Sequence, residues 1–213
     1  TLPSAQDGEA LIYENGAWVA GPVIGGVDYT PSNADSNYNN VELLLLANGT
    51  NGSTTFTDSS SSPRTVTPTG NAIVSTTQSK FGGSSIYLDG SGDYLTVTAD
   101  TDLVDWLTAG AFTVEAWGYT DSSWTSWGRS TTTPVMCGNM SATGATNNWS
   151  FGPDSNGNVG FYYYASGIRQ VTGSTALSTG TWHHVAMSYD GATIKLFANG
   201  ALDASASVIG SPT

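Results

Sequence analysis

Residues 181–200 read TWHHVAMSYDGATIKLFANG. Adjacent histidines, His183 and His184, with Asp190 downstream, suggest a metal site or a general base. Strand geometry argues against both. Neighbouring residues on a strand point to opposite faces, so these two imidazoles do not chelate one ion together. Val185, Met187 and Tyr189 fall on one face, His184 and Ala186 on the other. Asp190–Gly191 and Asn199–Gly200 are hairpin turn signals. The histidines are therefore expected as strand residues of a meander.

Carboxylate chemistry fares no better. Retaining glycoside hydrolysis needs two carboxyl groups about 5 Å apart. FTVEAWGY (112–119) supplies Glu115 alone, with Trp117 and Tyr119 at the next same-face positions. The other glutamates, Glu9, Glu14 and Glu42, lie early in the chain. Glu115 is expected as a sheet residue with a hydrogen-bond partner. Cys137 is the single cysteine, so no internal disulfide or cysteine-based zinc site forms. No G-x-S-x-G elbow occurs, and Gly82–Gly83 precede a strand, not a helix, so no phosphate loop is expected. The expectation is a protein that is not an enzyme and has no cofactor.

Calcium is the one metal with candidate ligands. Asp89 and Asp93 in DGSGD (89–93) offer hard oxygen donors. Their spacing does not match an EF-hand loop, and D-G-x-x-D also makes an ordinary hairpin corner. Ligand contact is a separate matter. The polar loop DSSWTSWGRSTTT (121–133) carries Trp124, Trp127 and Arg129. Large apolar groups in polar loops mark contact patches. Aromatic faces with nearby polar groups suit sugars. These three residues are the candidate contacts for a glycan or a protein. Trp149 and Tyr162–Tyr164 are expected to fill the core or the sheet.

The chain that positions these residues has 213 residues and a net charge of −12, from 17 acids and 5 bases. Such a surface repels phosphate backbones and anionic membranes, so nucleic acid is excluded as a partner. No stretch approaches the roughly 20 apolar residues that span a bilayer. No signal-peptide pattern opens the chain, and Thr1 in place of Met suggests a processed product or part of a longer chain. Abundant Gly, Ser, Thr and Asn with 11% aromatics favour strands and turns over helices.

Strands are expected at 41–47, 53–57, 64–67, 84–89, 93–98, 112–120, 134–137, 148–152, 158–164, 167–172, 182–189, 192–198 and 201–207. Thr101–Thr108 is the only helical candidate. Many short strands at this spacing mean a sandwich or barrel. Residues 1–40 differ: Ala10–Glu14 and Ala17–Ala20 flank Asn15–Gly16 as a hairpin, and a polar, turn-rich linker follows. The expected division is an arm at 1–40 and a β domain at 41–213.

The pattern W-H-H-V-A-x-x-Y-D-G-x-x-x-x-L-x-x-N-G resembles laminin-G-like, concanavalin-A-like jelly-roll domains. KFGGSSIYLDGSGDYLTV (80–97) and FTVEAWGY (112–119) resemble further strands of that family. VELLLLANGTNGSTTFTDSS (41–60) resembles the opening of versions found in phage structural proteins. DGEALIYENGAWVAG, in the arm, resembles a hairpin repeat of tail-fibre and appendage proteins of marine tailed phages.

The resemblance implies an all-β fold, a two-sheet antiparallel jelly-roll sandwich with an N-terminal hairpin arm. It implies a non-enzymatic appendage or decoration protein on the virion surface, with a module for assembly and host-glycan binding. Sibling subunits, as in a trimer, and other virion proteins are the implied partners. A cellular or secreted adhesion lectin is the alternative, with a polysaccharide depolymerase behind it. The family closes with a G-x-I-D-[DE]-[FLV]-R-I strand, whereas this chain stops at SVIGSPT. The expectation is that the last strand is encoded beyond Thr213, the alternative being a strand supplied by a neighbouring subunit.

Overall fold

The computed structural model describes residues 9–14, 17–22, 37–98, 110–124, 136–139, 149–164 and 167–208. The arm hairpin forms as expected. Strands β1 (Glu9–Glu14) and β2 (Ala17–Pro22) pair antiparallel, from Glu9↔Pro22 to Glu14↔Ala17. The helix expected at 101–108 lies outside the described residues.

After a 3-10 turn at Tyr38–Asn40, four short strands follow: β3 (Val66–Thr69), β4 (Ile73–Ser75), β5 (Ser85–Tyr87) and β6 (Tyr94–Val97). β3 pairs with β6 and β4 with β5, both antiparallel. Pro68 has no N–H to give a ladder, and it sits in a two-stranded pair, where a free edge tolerates it. Phe56, Ala72 and Val74 form a small core here, with Val66, Ile86 and Leu95 packed against it.

The strands expected at 41–47 and 53–57 are corrected to single bridges, Leu45↔Asp58 and Thr57↔Thr65. The cause is Asp58. Its buried carboxylate accepts from the backbone N–H groups of Leu44, Ser60 and Arg64 and from the Ser60 hydroxyl. These bonds take the place of a ladder. Arg64 also reaches back to the Glu42 carbonyl oxygen and pairs with its carboxylate at 2.7 Å.

The main body is a pair of four-stranded antiparallel sheets. One has the order β11 (Ile168–Ala176), β10 (Asn158–Tyr164), β9 (Trp149–Pro153), β8 (Cys137–Asn139). The other has the order β14 (Ala201–Ser207), β13 (Thr193–Ala198), β12 (His183–Tyr189), β7 (Phe112–Gly118). Their facing sides meet in one core. Phe151, Val159, Phe161 and Tyr163 from the first sheet lie against Val185, Met187, Tyr189, Ile194 and Leu196 from the second. Each fully buried side chain of this kind contributes about 1.5–3 kcal/mol relative to exposure.

Turn chemistry sets the register. Ala198↔Ala201 flank Asn199 (φ 51°) and Gly200 (φ 81°), two consecutive left-handed residues. That is the two-residue turn whose twist matches the strands it joins. Asp190 holds the preceding corner by accepting from the N–H groups of Ala192 and Thr193. With the register fixed, alternation sends Phe112, Val114 and Ala116 of β7 toward the core and Thr113, Glu115 and Trp117 outward.

Candidate functional site: an aromatic and basic patch on the outer sheet face

Trp117 and His184 are direct cross-strand partners, and Ala186 stands opposite Glu115. All four point away from the core. The rings of Trp117 and His184 lie 5.4 Å apart, and His184 Nε2 meets Glu115 Oε2 at 3.2 Å. Glu115 therefore has the hydrogen-bond partner expected of it. It is also the only carboxylate on the strand positions of β7, β12 and β13.

The loop between β4 and β5 adds two residues. The Phe81 ring stands edge-on to Trp117, with centroids 5.5 Å apart and planes at 87°. Lys80 Nζ lies 4.3 Å from the Trp117 centroid and 5.7 Å from that of Phe81. An ammonium over an indole face is attracted by the ring quadrupole, by about 0.5–1 kcal/mol at an exposed site. Phe81 is 66% exposed and Trp117 39%. An open phenyl ring, an indole behind it, an ammonium and an imidazole–carboxylate pair thus share one surface. Such a surface can stack on the C–H face of a sugar and bond its hydroxyls.

The residues singled out from sequence stand elsewhere. Trp124 is a correction: it is 3% exposed, packs into the main core, and donates from Nε1 to the Leu177 carbonyl at 2.9 Å. Its apolar ring fills space beside Gly157 and Leu177 and presents no face to a ligand. Trp127 and Arg129 lie outside the described residues. Asp89 and Asp93 close a hairpin corner. Asp93 accepts from the backbone N–H groups of Asn71 and Asp89, at 2.6 and 2.9 Å. Asp89 accepts from Ser91 N–H and from Asn71 Nδ2. The bonds from Asp89 and Asn71 hold the Asp93 carboxyl below its ordinary value. Among the described residues, no three His, Cys, Asp or Glu side chains converge as a metal site.

His183 faces the interior. Asn199 Nδ2 donates to its Nδ1 at 3.1 Å, which leaves Nε2–H to donate to the Ser178 carbonyl at 3.0 Å. It ties β12 to two loops and has no nitrogen left for chemistry. Cys137 packs against the core, and burial pushes its thiol up to about 11. At neutral pH it is a protonated, poor nucleophile. Trp149 and Tyr163 are core residues, as expected.

Trp117, Phe81 and Lys80 were not singled out from sequence. Alternation did place Trp117 beside Glu115. The partners that make a patch of it come from a loop far back in the chain.

Two facing four-stranded antiparallel sheets of this kind make a jelly-roll sandwich. The family model described as the concanavalin A-like lectin/glucanase superfamily, laminin G type, matches residues 88–213, more than half of the chain. The chain belongs to that superfamily. A search of curated proteins finds no matching sequence. Among solved structures, the binding domain of botulinum neurotoxin DC, solved in complex with SialylT, aligns with a TM-score of 0.50 at 15% identity. The alignment covers 81% of this chain, which spans 40% of that one. An S-layer domain-containing protein of Clostridium thermocellum (its residues 221–444) aligns with a TM-score of 0.40 at 20% identity, covering 80% of this chain and 74% of the other. At 15% identity the likeness to the neurotoxin domain is one of fold.

Proposed function

We propose that this chain is a non-enzymatic appendage or decoration protein of a tailed-phage virion, whose jelly roll serves assembly and binds a host-surface glycan. The observation that carries the glycan reading is the exposed Phe81–Trp117 pair with Lys80, His184 and Glu115 around it. Aromatic surface held open on a rigid sheet loses little entropy when a ligand lands on it. Superfamily membership supports a carbohydrate as the ligand class, and the neurotoxin domain of similar fold was solved with SialylT. Among the described residues, no second carboxylate shares the β7, β12 and β13 positions with Glu115, which supports binding over cleavage, because hydrolysis takes a pair of carboxyls.

The phage setting rests on the resemblance of residues 41–60 and of the arm to phage structural proteins. Residues 1–40 would attach the chain to the particle or to sibling subunits, and the domain at 41–213 would be displayed. A homotrimer is the assembly proposed.

A glycan array probed with the native protein and with Trp117→Ala tests the binding. Hits that vanish in the variant support it. Hits that persist, or a blank array, overturn it. Immunogold labelling of purified virions tests the setting. Label on tail or capsid supports it, and label confined to cell surfaces would make the chain a cellular adhesion lectin. Release of oligosaccharides that stops in Glu115→Gln would instead identify a depolymerase.

A further inference from the structure

The outer face of this sheet gathers cations in a chain that is strongly acidic, with Asp190 near enough to Lys195 to interact with it. The whole sequence has only five Lys or Arg residues: Arg64, Lys80, Arg129, Arg169 and Lys195. Lys80 stands over Trp117. Lys195 is exposed on β13 opposite Ser188, which lies four residues along β12 on the same side as His184. Two of the five cations therefore lie on the face that carries the exposed rings. His184 adds an imidazole to it. Glu115 is the one strand carboxylate there, and it is engaged by His184.

We infer that the patch takes an acidic glycan, one whose sugars carry carboxylates, as uronic or sialic acids do. This deepens the glycan reading above and rests on it. The Lys80 ammonium is held in place by two rings, at 4.3 and 5.7 Å, so it is positioned before the ligand arrives. A carboxylate meeting Nζ from the solvent side leaves the sugar's C–H face over the exposed ring of Phe81. From strand rise and spacing, Lys195 lies about 14 Å from His184, so a second carboxylate on an extended chain finds a second cation. Against a net charge of −12, these cations decide where a polyanion can land.

The test compares matched pairs by titration calorimetry: oligogalacturonate against its carboxyl-reduced form, and sialyllactose against lactose. The expected result is tighter binding of an acidic member, with an advantage that shrinks as salt rises. The arm that binds identifies the source of the carboxylate. Lys80→Gln is expected to lower the acidic member's affinity about fivefold more than its neutral partner's, and Lys80→Arg is expected to retain the preference. Phe81→Ala is expected to weaken both members. Equal binding of acidic and neutral members, with the array positive, overturns the charge inference and leaves the glycan reading standing. No binding of any probe by the native protein, with a blank array, overturns both. Thermal unfolding of each variant within the native range shows that a lost affinity is not lost folding.

Discussion

The indole of Trp117 and the imidazole of His184 face each other across β7 and β12 with ring centroids 5.4 Å apart. Adjacent antiparallel strands bring directly opposite side chains this close. The pair is a product of register, and register here is fixed by the buried face beneath it. A shift of one residue would bury Trp117 and His184 and expose Val185 and Met187, which are 1% and 0% exposed. The patch is thus held by the core. Its outer residues can change with little effect on the fold, which makes binding and stability separable by mutation.

That separation gives the first prediction. Trp117→Ala removes the ring that backs both Phe81 and Lys80. Glycan affinity is expected to fall by about 1–3 kcal/mol, the scale of a truncated aromatic contact at a binding surface. The melting temperature is expected to move by only a few degrees, because Trp117 is partly exposed already. Calorimetric titration and differential scanning calorimetry on the same preparation measure the two effects. A large loss of stability with unchanged affinity would make Trp117 a packing residue only.

The two histidines are expected to behave as opposites. His183 is buried, and removing it leaves Asn199 Nδ2 and the Ser178 carbonyl without partners beside a cavity. His183→Ala should cost about 2–4 kcal/mol. His184 makes a partly exposed hydrogen bond to Glu115 on the outer face, so His184→Ala should cost no more than about 1 kcal/mol. Urea unfolding of both variants measures the difference. Equal costs would contradict the assigned orientations.

The contrast between these neighbours shows what the sequence conveys and where it stops. Strands β12, β13 and β14 were legible because alternation and the Asp190–Gly191 and Asn199–Gly200 turns all agree. Segment 41–47 misled because four consecutive leucines resemble a strand. The competing partner was the Asp58 carboxylate, fourteen residues beyond Leu44. Trp124 misled because the polarity of its loop says nothing about the Leu177 carbonyl that accepts its N–H from across the fold. The patch itself joins residues 80–81 to 117 and 184, a contact between distant segments that no local pattern encodes.

Asp58 provides a pH prediction. Burial raises its carboxyl pKa, but the hydrogen bonds from Leu44, Arg64 and Ser60 outweigh burial, and the net shift is downward from 3.8. A folded-state value below the unfolded one means that the ionised form stabilises the fold. That contribution is complete above the unfolded value near 3.8 and is lost as pH falls through the folded value. Stability should therefore fall below about pH 4. Asp58→Asn tests the assignment. Whichever way the amide is turned, its NH₂ meets backbone N–H donors, of Arg64 or of Leu44 and Ser60. The variant should be about 1–3 kcal/mol less stable at neutral pH. The gap should narrow in acid, as the native carboxyl takes a proton and meets the same donors. Denaturant unfolding from pH 2 to 7 gives both curves, and parallel curves would remove Asp58 as the source.

A last prediction concerns the contact between the two sheets at β11 and β14. Asp203 sits at the β14 irregularity, and its carboxylate accepts from the N–H groups of Ser174 and Thr175 and from both their hydroxyls. The carboxylate fits because residue 173 is glycine. A Cβ there would overlap Asp203 Oδ2. Gly173→Ala must push Asp203 off its donors or shift β11, at an expected cost of about 1–3 kcal/mol. Asp203→Ala should itself cost about 1–2 kcal/mol, since the donors it leaves can turn to water. The two changes share one cause. In the double variant the added methyl enters the space the carboxylate has vacated. The double variant should therefore be more stable than the sum of the single losses implies, by about 1 kcal/mol or more. Strict additivity in a double-mutant cycle would show that Gly173 is there for a reason other than the seat of Asp203.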